Sequence, residues 1–224
     1  MASSISSSPI VLPCQGILFD MDGILISSLA SVERSWTKWA NMRGLDSAYV
    51  LSVIHGRRAI ESAAELRPDL DPEAELKLIE EIECADGEGI EILPGVKELL
   101  ARLPAHRWTV VTSATEKLAR TRLALIGLPV PERMITASSV PQGKPHPAPY
   151  IEGARLLGFD PAECVVLEDS LSGVLAGEAA GCTVIGTTFS HSPQELAAAH
   201  YLIRDLTQIT AQSSAAGLEL TLQP

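Results

Sequence analysis

Six short apolar runs punctuate the chain with little polar alternation inside them. They are "GILF" (16–19), "WTVVT" (108–112), "RMITA" (133–137), "CVVLE" (164–168), "CTVIGT" (182–187) and "YLI" (201–203). Runs that are hydrophobic on both faces suit strands of a parallel sheet covered on both sides. Helical patterns fall between them. "LPGVKELLARL" opens near Pro94, "DPAE" (160–163) offers an Asp cap with proline in the first turn, and "SPQE" (192–195) repeats the device. Strands alternating with helices predict an α/β class, a doubly wound, Rossmann-like parallel sheet.

Residues 28–91 break the rhythm. They hold no convincing strand, only amphipathic stretches such as "SVERSWTKWANMRG" and "EAELKLIEEIE", and they fall between the first strand and the second. The pattern predicts an all-helical cap inserted into an α/β core of residues 15–27 and 92–208, with Trp36 and Trp39 in the cap's own core and Trp36 also a candidate for the pocket wall. Residues 1–14 read as a loose tail. Residues 209–224 read as a second tail whose "LELTL" is a candidate edge strand.

Composition narrows the function. With 224 residues and 46% hydrophobic content the chain can bury a substantial core. A net charge of −11 argues against nucleic acid or an anionic membrane as partner. No run approaches the roughly 20 apolar residues of a membrane span. No Lys or Arg precedes Arg34, so the serine-rich start lacks the basic character of a targeting segment. The four cysteines are scattered without a CxxC pair, which fits reduced thiols and predicts a cytoplasmic protein; a monomer or weak dimer is expected.

In an open parallel sheet, ligands bind beyond the C-terminal ends of the strands. Asp20 and Asp22 follow the first predicted strand, Ser113 follows the second, and Glu168 and Asp169 stand at "CVVLE"; Lys144 lies in the "QGKPHP" loop. Ser113 also begins "SATE", which matches a capping box, and a helix N-terminus attracts anions. In the insertion, "HGRR" (55–58) reads either as a solvated helix start or as a substrate contact in which Arg57 or Arg58 reaches down to hydroxyls or phosphate. His55 and Gly56 count with them as candidate substrate-binding residues. His146 reads as structural, and "DGEGIE" (86–91) as a hinge rather than a calcium loop.

These motifs, in order, resemble the haloacid dehalogenase-like phosphohydrolases: "FDMDG", "VVTSAT", "GKPHPAPY" and "VVLEDSLSG". The likeness is nearest to glycerol-phosphate and 2-deoxyglucose-6-phosphate phosphatases, and the insertion resembles the helical cap of the β-phosphoglucomutase type. The resemblance implies Mg²⁺ held by Asp20, the backbone carbonyl of Asp22 and Asp169, with Glu168 in contact or adjacent. It implies that Asp20 attacks phosphorus, that Asp22 protonates the leaving alcohol, and that Ser113, the Ala114 amide and Lys144 hold phosphate oxygens. The implied substrate is a small phosphorylated polyol or sugar.

Physical chemistry explains the cations. A carboxylate near a phosphate dianion is repelled by about 4 kcal/mol per pair of unit charges at about 4 Å and an effective dielectric near 20. Two alternatives stand beside hydrolysis: a sugar-phosphate mutase and a phosphometabolite sensor. Aligned on Trp36, the mutases' cap histidine falls on Val32 and their "DT" aspartate on Ser27, and valine cannot relay a proton. Ile24 and Ala114 depart from the phosphatases' Thr and Gly, and neither change touches a charged group.

Overall fold

Residues 8–54 and 57–223 are described by a computed structural model of the chain. Its strands are β1 Ile10–Cys14, β2 Gly16–Phe19, β3 Ile26–Ser27, β4 Glu91–Ile92, β5 Trp108–Val110, β6 Cys164–Glu168, β7 Thr183–Thr187, β8 Tyr201–Ile203, β9 Ile209–Ser214 and β10 Gly217–Leu222. Its α-helices are α1 Leu29–Met42, α2 Ser47–Ile54, α3 Ala59–Leu66, α4 Pro72–Ala85, α5 Val96–Leu100, α6 Glu116–Leu125, α7 Ala148–Leu157 and α8 Leu171–Ala179.

Five parallel strands form the main sheet in the order β5-β2-β6-β7-β8. β2 is buried at every position, so its side chains feed both faces. Ile17 and Phe19 join one hydrophobic cluster with Val110, Leu167 and Ile185, while Leu18 joins another with Val166, Val184 and Tyr150. This is why the run shows no polar alternation.

Three predicted elements come out differently. "RMITA" is not a strand but a single bridge, Ile135 to Val111, hemmed between Pro131 and a serine turn. "DPAE" starts no α-helix. Its capping box closes one 3-10 turn, Pro161–Glu163, because β6 begins at the next residue. At "SPQE", Ser192 and Glu195 exchange hydrogen bonds of 2.8 and 3.4 Å, yet the chain makes turns only, since it must reach β8 within a few residues.

The two tails are corrected as well. Residues 10–14 are β1, an antiparallel partner of β10, which in turn pairs with β9. The "LELTL" segment is therefore the centre of a second, three-stranded sheet rather than an edge. Its period-two pattern sends Leu218, Leu220 and Leu222 into the cluster that also holds Ile17 and Phe19. Pro13 is tolerated because β1 is an outer strand.

The helical segment leaves and rejoins the α/β part through β3 and β4, which pair with each other at Ile26–Ile92 and Ser27–Glu91. It has its own cluster around Trp36 and Trp39, whose rings meet edge-on at 5.4 Å. Trp39 is fully buried, and its Nε1 donates to Glu75 at 2.7 Å; Arg43 neutralises that carboxylate. Truncating such a residue to alanine costs about 3–5 kcal/mol. Helix α4 then docks on α6: Lys117 donates to Glu80 at 3.0 Å and Arg122 to Glu83 at 3.1 Å. Among the described residues, no helix is long and apolar enough to cross a membrane.

Candidate active site

Beyond the C-terminal ends of the parallel strands lies a cavity of about 450 Å³, walled on its far side by α1, α3 and α4. Asp20 extends the pairing of β2, its amide donating to Leu167 O at 3.0 Å. The chain then turns back at Gly23, with φ +87°, where a Cβ would fall 1.9 Å from Asp169 Oδ2. Only glycine allows that turn against that carboxylate. On β6 the exit is equally tight: a Cβ at Gly173 would lie 1.7 Å from Glu168 Oε1, and Ser170 caps α8 by accepting from the Gly173 amide at 3.1 Å.

Lys144 sits at the centre. Its Nζ donates to Asp20 Oδ1 at 2.6 Å, to Glu168 Oε1 at 2.6 Å and to Val111 O at 3.1 Å. Burial alone would lower its pKa, but the Asp20 and Glu168 charges outweigh that and hold it above the ordinary lysine value. Oxygens of Asp20, Glu168 and Asp169 lie within 4.8 Å of one another. Against one ammonium, three buried carboxylates leave two negative charges uncompensated. The electrostatics register this: burial, with Glu168 and Asp169 adding to it, pushes Asp20 well above the ordinary carboxylate range despite Lys144. Burial and then Glu168 push Asp169 to about 7. A hard divalent cation on carboxylate oxygens fits this set in both charge and chemistry.

Glu168 differs from its neighbours. Burial works to raise its pKa, yet Lys144 together with hydrogen bonds from Ser170 and Tyr150 outweighs burial and lowers it. Its Oε1 accepts from Lys144 and from the Tyr150 hydroxyl at 2.7 Å, and its Oε2 from the amides of Asp169 and Ser170 and from Ser170 Oγ, each at 3.0 Å. Those five donors exceed the roughly four lone-pair sites of a carboxylate. Direct metal contact would require it to release a partner.

Asp22 lines the cavity, but its carboxylate is not part of the acidic cluster. Oδ1 accepts instead from Ser28 Oγ and from Arg122 Nη1 at 3.1 Å. Ser113 and Ala114 also line the cavity. Ser113 does not cap α6, contrary to the capping-box reading. The cap is Thr115, two residues on, which accepts from the Leu118 amide at 3.3 Å. The Ala114 amide donates to Thr112 Oγ1 at 3.1 Å. Arg57 reaches the cavity while paired with Glu65 at 2.7 Å. Arg58 does not reach it: the buried guanidinium donates to Val140 O at 2.9 Å and Pro141 O at 3.2 Å. It ties α3 to the loop that carries Lys144, so the substrate-contact reading of Arg58 gives way to a structural one. His55 and Gly56 lie outside the described residues. His146 accepts from the Ala148 amide at 3.1 Å, the structural role expected of it.

Several cavity or supporting groups escaped the sequence. Tyr150 carried no signal beyond its helix. Arg122 and Glu83 look like ordinary helix charges until α4 meets α6. Ser190 donates to Asp169 and contacts His191, which also lines the cavity; both follow β7, and the strand-end rule applied to that strand would have found them.

A family model described as haloacid dehalogenase-like hydrolase matches residues 14–181. Hexitol phosphatase A of Escherichia coli (strain K12) is 44% identical over 202 residues, 88% of this chain and 94% of that protein. Glycerol-1-phosphate phosphohydrolase 1 of Saccharomyces cerevisiae is 37% identical over 83% of this chain and 80% of its own length. In fold alone, the chain is similar to β-phosphoglucomutase from Clostridium difficile, with a TM-score of 0.74 and 19% identity over 88% of this chain and 93% of that one. The chain belongs to the haloacid dehalogenase-like hydrolase family, and it is a phosphatase.

Proposed function

We propose that the enzyme hydrolyses small phosphorylated polyols or sugars, with Mg²⁺ bound among Asp20, the backbone carbonyl of Asp22 and Asp169, and with Glu168 orienting Lys144. The observation that carries this reading is the convergence of Asp20, Asp169 and Lys144 on one cavity with two negative charges left to balance. Bound there, Mg²⁺ supplies the positive charge that lets a dianionic ester approach a carboxylate.

The protein's own residues do the rest. A phosphate ester enters with its oxygens toward Ser113, Lys144 and the Ala114 amide, which gives up Thr112 Oγ1 to meet them. An Asp20 oxygen attacks phosphorus; the new O–P bond forms as the ester O–P bond breaks, and Asp22 gives its proton to the departing alcohol. Asp22 then takes a proton from water as that water attacks the aspartyl-phosphate. The bond to Asp20 breaks and inorganic phosphate leaves. The cap segment, residues 28–91, closes over the substrate's organic end, and Arg57 is the cap cation that meets its hydroxyls. The relatives' printed names, hexitol phosphatase and glycerol-1-phosphate phosphohydrolase, support this substrate class.

The mutase alternative is disfavoured by Val32, which lines the cavity where a proton-relaying histidine would be needed. A panel of polyol, hexose and deoxyhexose phosphates, assayed for phosphate release with and without Mg²⁺, tests the proposal. Turnover that needs Mg²⁺ and is abolished by Asp20→Asn supports it. No turnover on any member, or full activity in Asp20→Asn, overturns it.

A further inference from the structure

Arg122 is the cation that neither the sequence motifs nor the mechanism above employs. It projects from α6 into the cavity wall and is 3% exposed. Its planar fork is shared between two carboxylates from distant parts of the chain: Nη1 donates to Asp22 Oδ1 at 3.1 Å and Nη2 to Glu83 Oε1 at 3.1 Å. Its Nε is buried without a hydrogen-bond partner among the described residues, so packing alone did not select this group. A buried ion pair is weak evidence for stability, because apolar groups replacing the whole pair are often neutral or better.

Among the described residues, both hydrogen bonds on Asp22, from Ser28 and from Arg122, fall on Oδ1. The second oxygen, Oδ2, is therefore the one left to exchange a proton. A general acid must hold its proton within hydrogen-bond reach of the leaving oxygen, and a carboxylate free to rotate about its side-chain torsions holds it there only part of the time. A guanidinium clamped at its other end removes that freedom, because its donors are fixed in one plane; a lysine ammonium has no such fork. The clamp is Glu83, which comes from α4 in the helical segment, so the anchor runs across the junction between that segment and the α/β part.

We propose that Arg122 is a positioning residue for Asp22, fixing Oδ1 so that Oδ2 faces the leaving alcohol, and that Glu83 holds Arg122 in that place. The inference rests on the phosphatase reading and on the acid role of Asp22.

The test compares two esters that differ in their need for the acid. Glycerol 1-phosphate must lose an alkoxide, which requires a proton. p-Nitrophenyl phosphate loses a stable phenolate, which does not. kcat/KM, which reports the steps up to loss of the leaving group, is measured for the wild-type enzyme, for Arg122→Met, and for Arg122→Met combined with Glu83→Leu. The double variant leaves no unpaired buried charge and keeps the comparison sound should the single variant fold poorly. General acid catalysis is worth about 10²–10⁴-fold, so both variants are expected to lose about tenfold or more on glycerol 1-phosphate and less than about threefold on p-nitrophenyl phosphate. Equal losses on the two esters, or no loss on either, overturn the positioning role. If the wild-type enzyme does not hydrolyse glycerol 1-phosphate, the panel ester it turns over best takes that place; a wild-type enzyme that hydrolyses no member of the panel overturns the proposed substrate class, and the inference with it.

Discussion

Tyr150→Phe removes one oxygen from the interior and leaves everything else in place. The phenol donates to Glu168 Oε1 at 2.7 Å while its ring stands 5.1 Å from Lys144 Nζ. Burial first, then the Glu168 charge, push the phenol well above its ordinary pKa, so it remains a donor at every assay pH. A hydrogen bond to a charged group contributes about 1.5–3 kcal/mol. Here Oε1 keeps Lys144 and Oε2 keeps three donors, so no buried charge is left unpaired and the loss falls toward the lower half of that range. The expected cost is about 2 kcal/mol, or a Tm lower by about 4–8 °C for a chain of this size. Urea unfolding at fixed Mg²⁺, repeated with chelator, measures it, and the loss should be similar in both conditions because the contact is to Glu168, outside the proposed ligand set. A change below about 0.5 kcal/mol would refute the reasoning that Glu168 is held from behind as a fixed anchor for Lys144.

Four further variants probe other links. Gly23→Ala places a methyl group 1.9 Å from Asp169 Oδ2, so Mg²⁺ affinity by calorimetry should fall by at least about tenfold, and unchanged affinity would contradict the proposed ligand set. Glu83 is pushed up from 4.5 to about 7, by burial first, with Arg122 opposing. The folded state therefore holds a proton there that the unfolded state releases, and wild-type stability should fall as pH rises from about 4.5 to 7. Glu83→Gln should flatten that slope by up to about 3 kcal/mol across the interval, measured by urea unfolding at each pH. Arg58→Met loses two carbonyl hydrogen bonds and should cost about 2–3 kcal/mol of stability, whereas Arg57→Met should raise KM with little change in Tm; the reverse pattern would exchange their roles.

The core of the fold was legible because β2, β6 and β7 are buried on both faces, which leaves an unbroken apolar signature. The second sheet was not, because β1 carries Pro13 and an outward Val11, and its partner lies some 200 residues away in sequence. Short caps misled for a related reason. Asp160 and Ser192 make the local hydrogen bonds of a helix start, yet β6 and β8 follow too soon for a helix to grow. At the site, charged residues at strand ends could be read directly, since position along the chain predicts position at the sheet edge. Arg58 and Arg122 could not, because their partners, the Val140 and Pro141 carbonyls and the Glu83 carboxylate, are set only when α3 and α4 dock.

The central claim is that Asp20 becomes covalently phosphorylated during turnover. The direct test is rapid acid quenching of the Mg²⁺-loaded enzyme with a phosphorus-labelled ester drawn from the panel, followed by peptide mapping. The label should appear on the peptide containing Asp20 within the first turnover, be lost on treatment with hydroxylamine, and be absent from Asp20→Asn. Phosphate release without any protein-bound label, or label on another side chain, would contradict it.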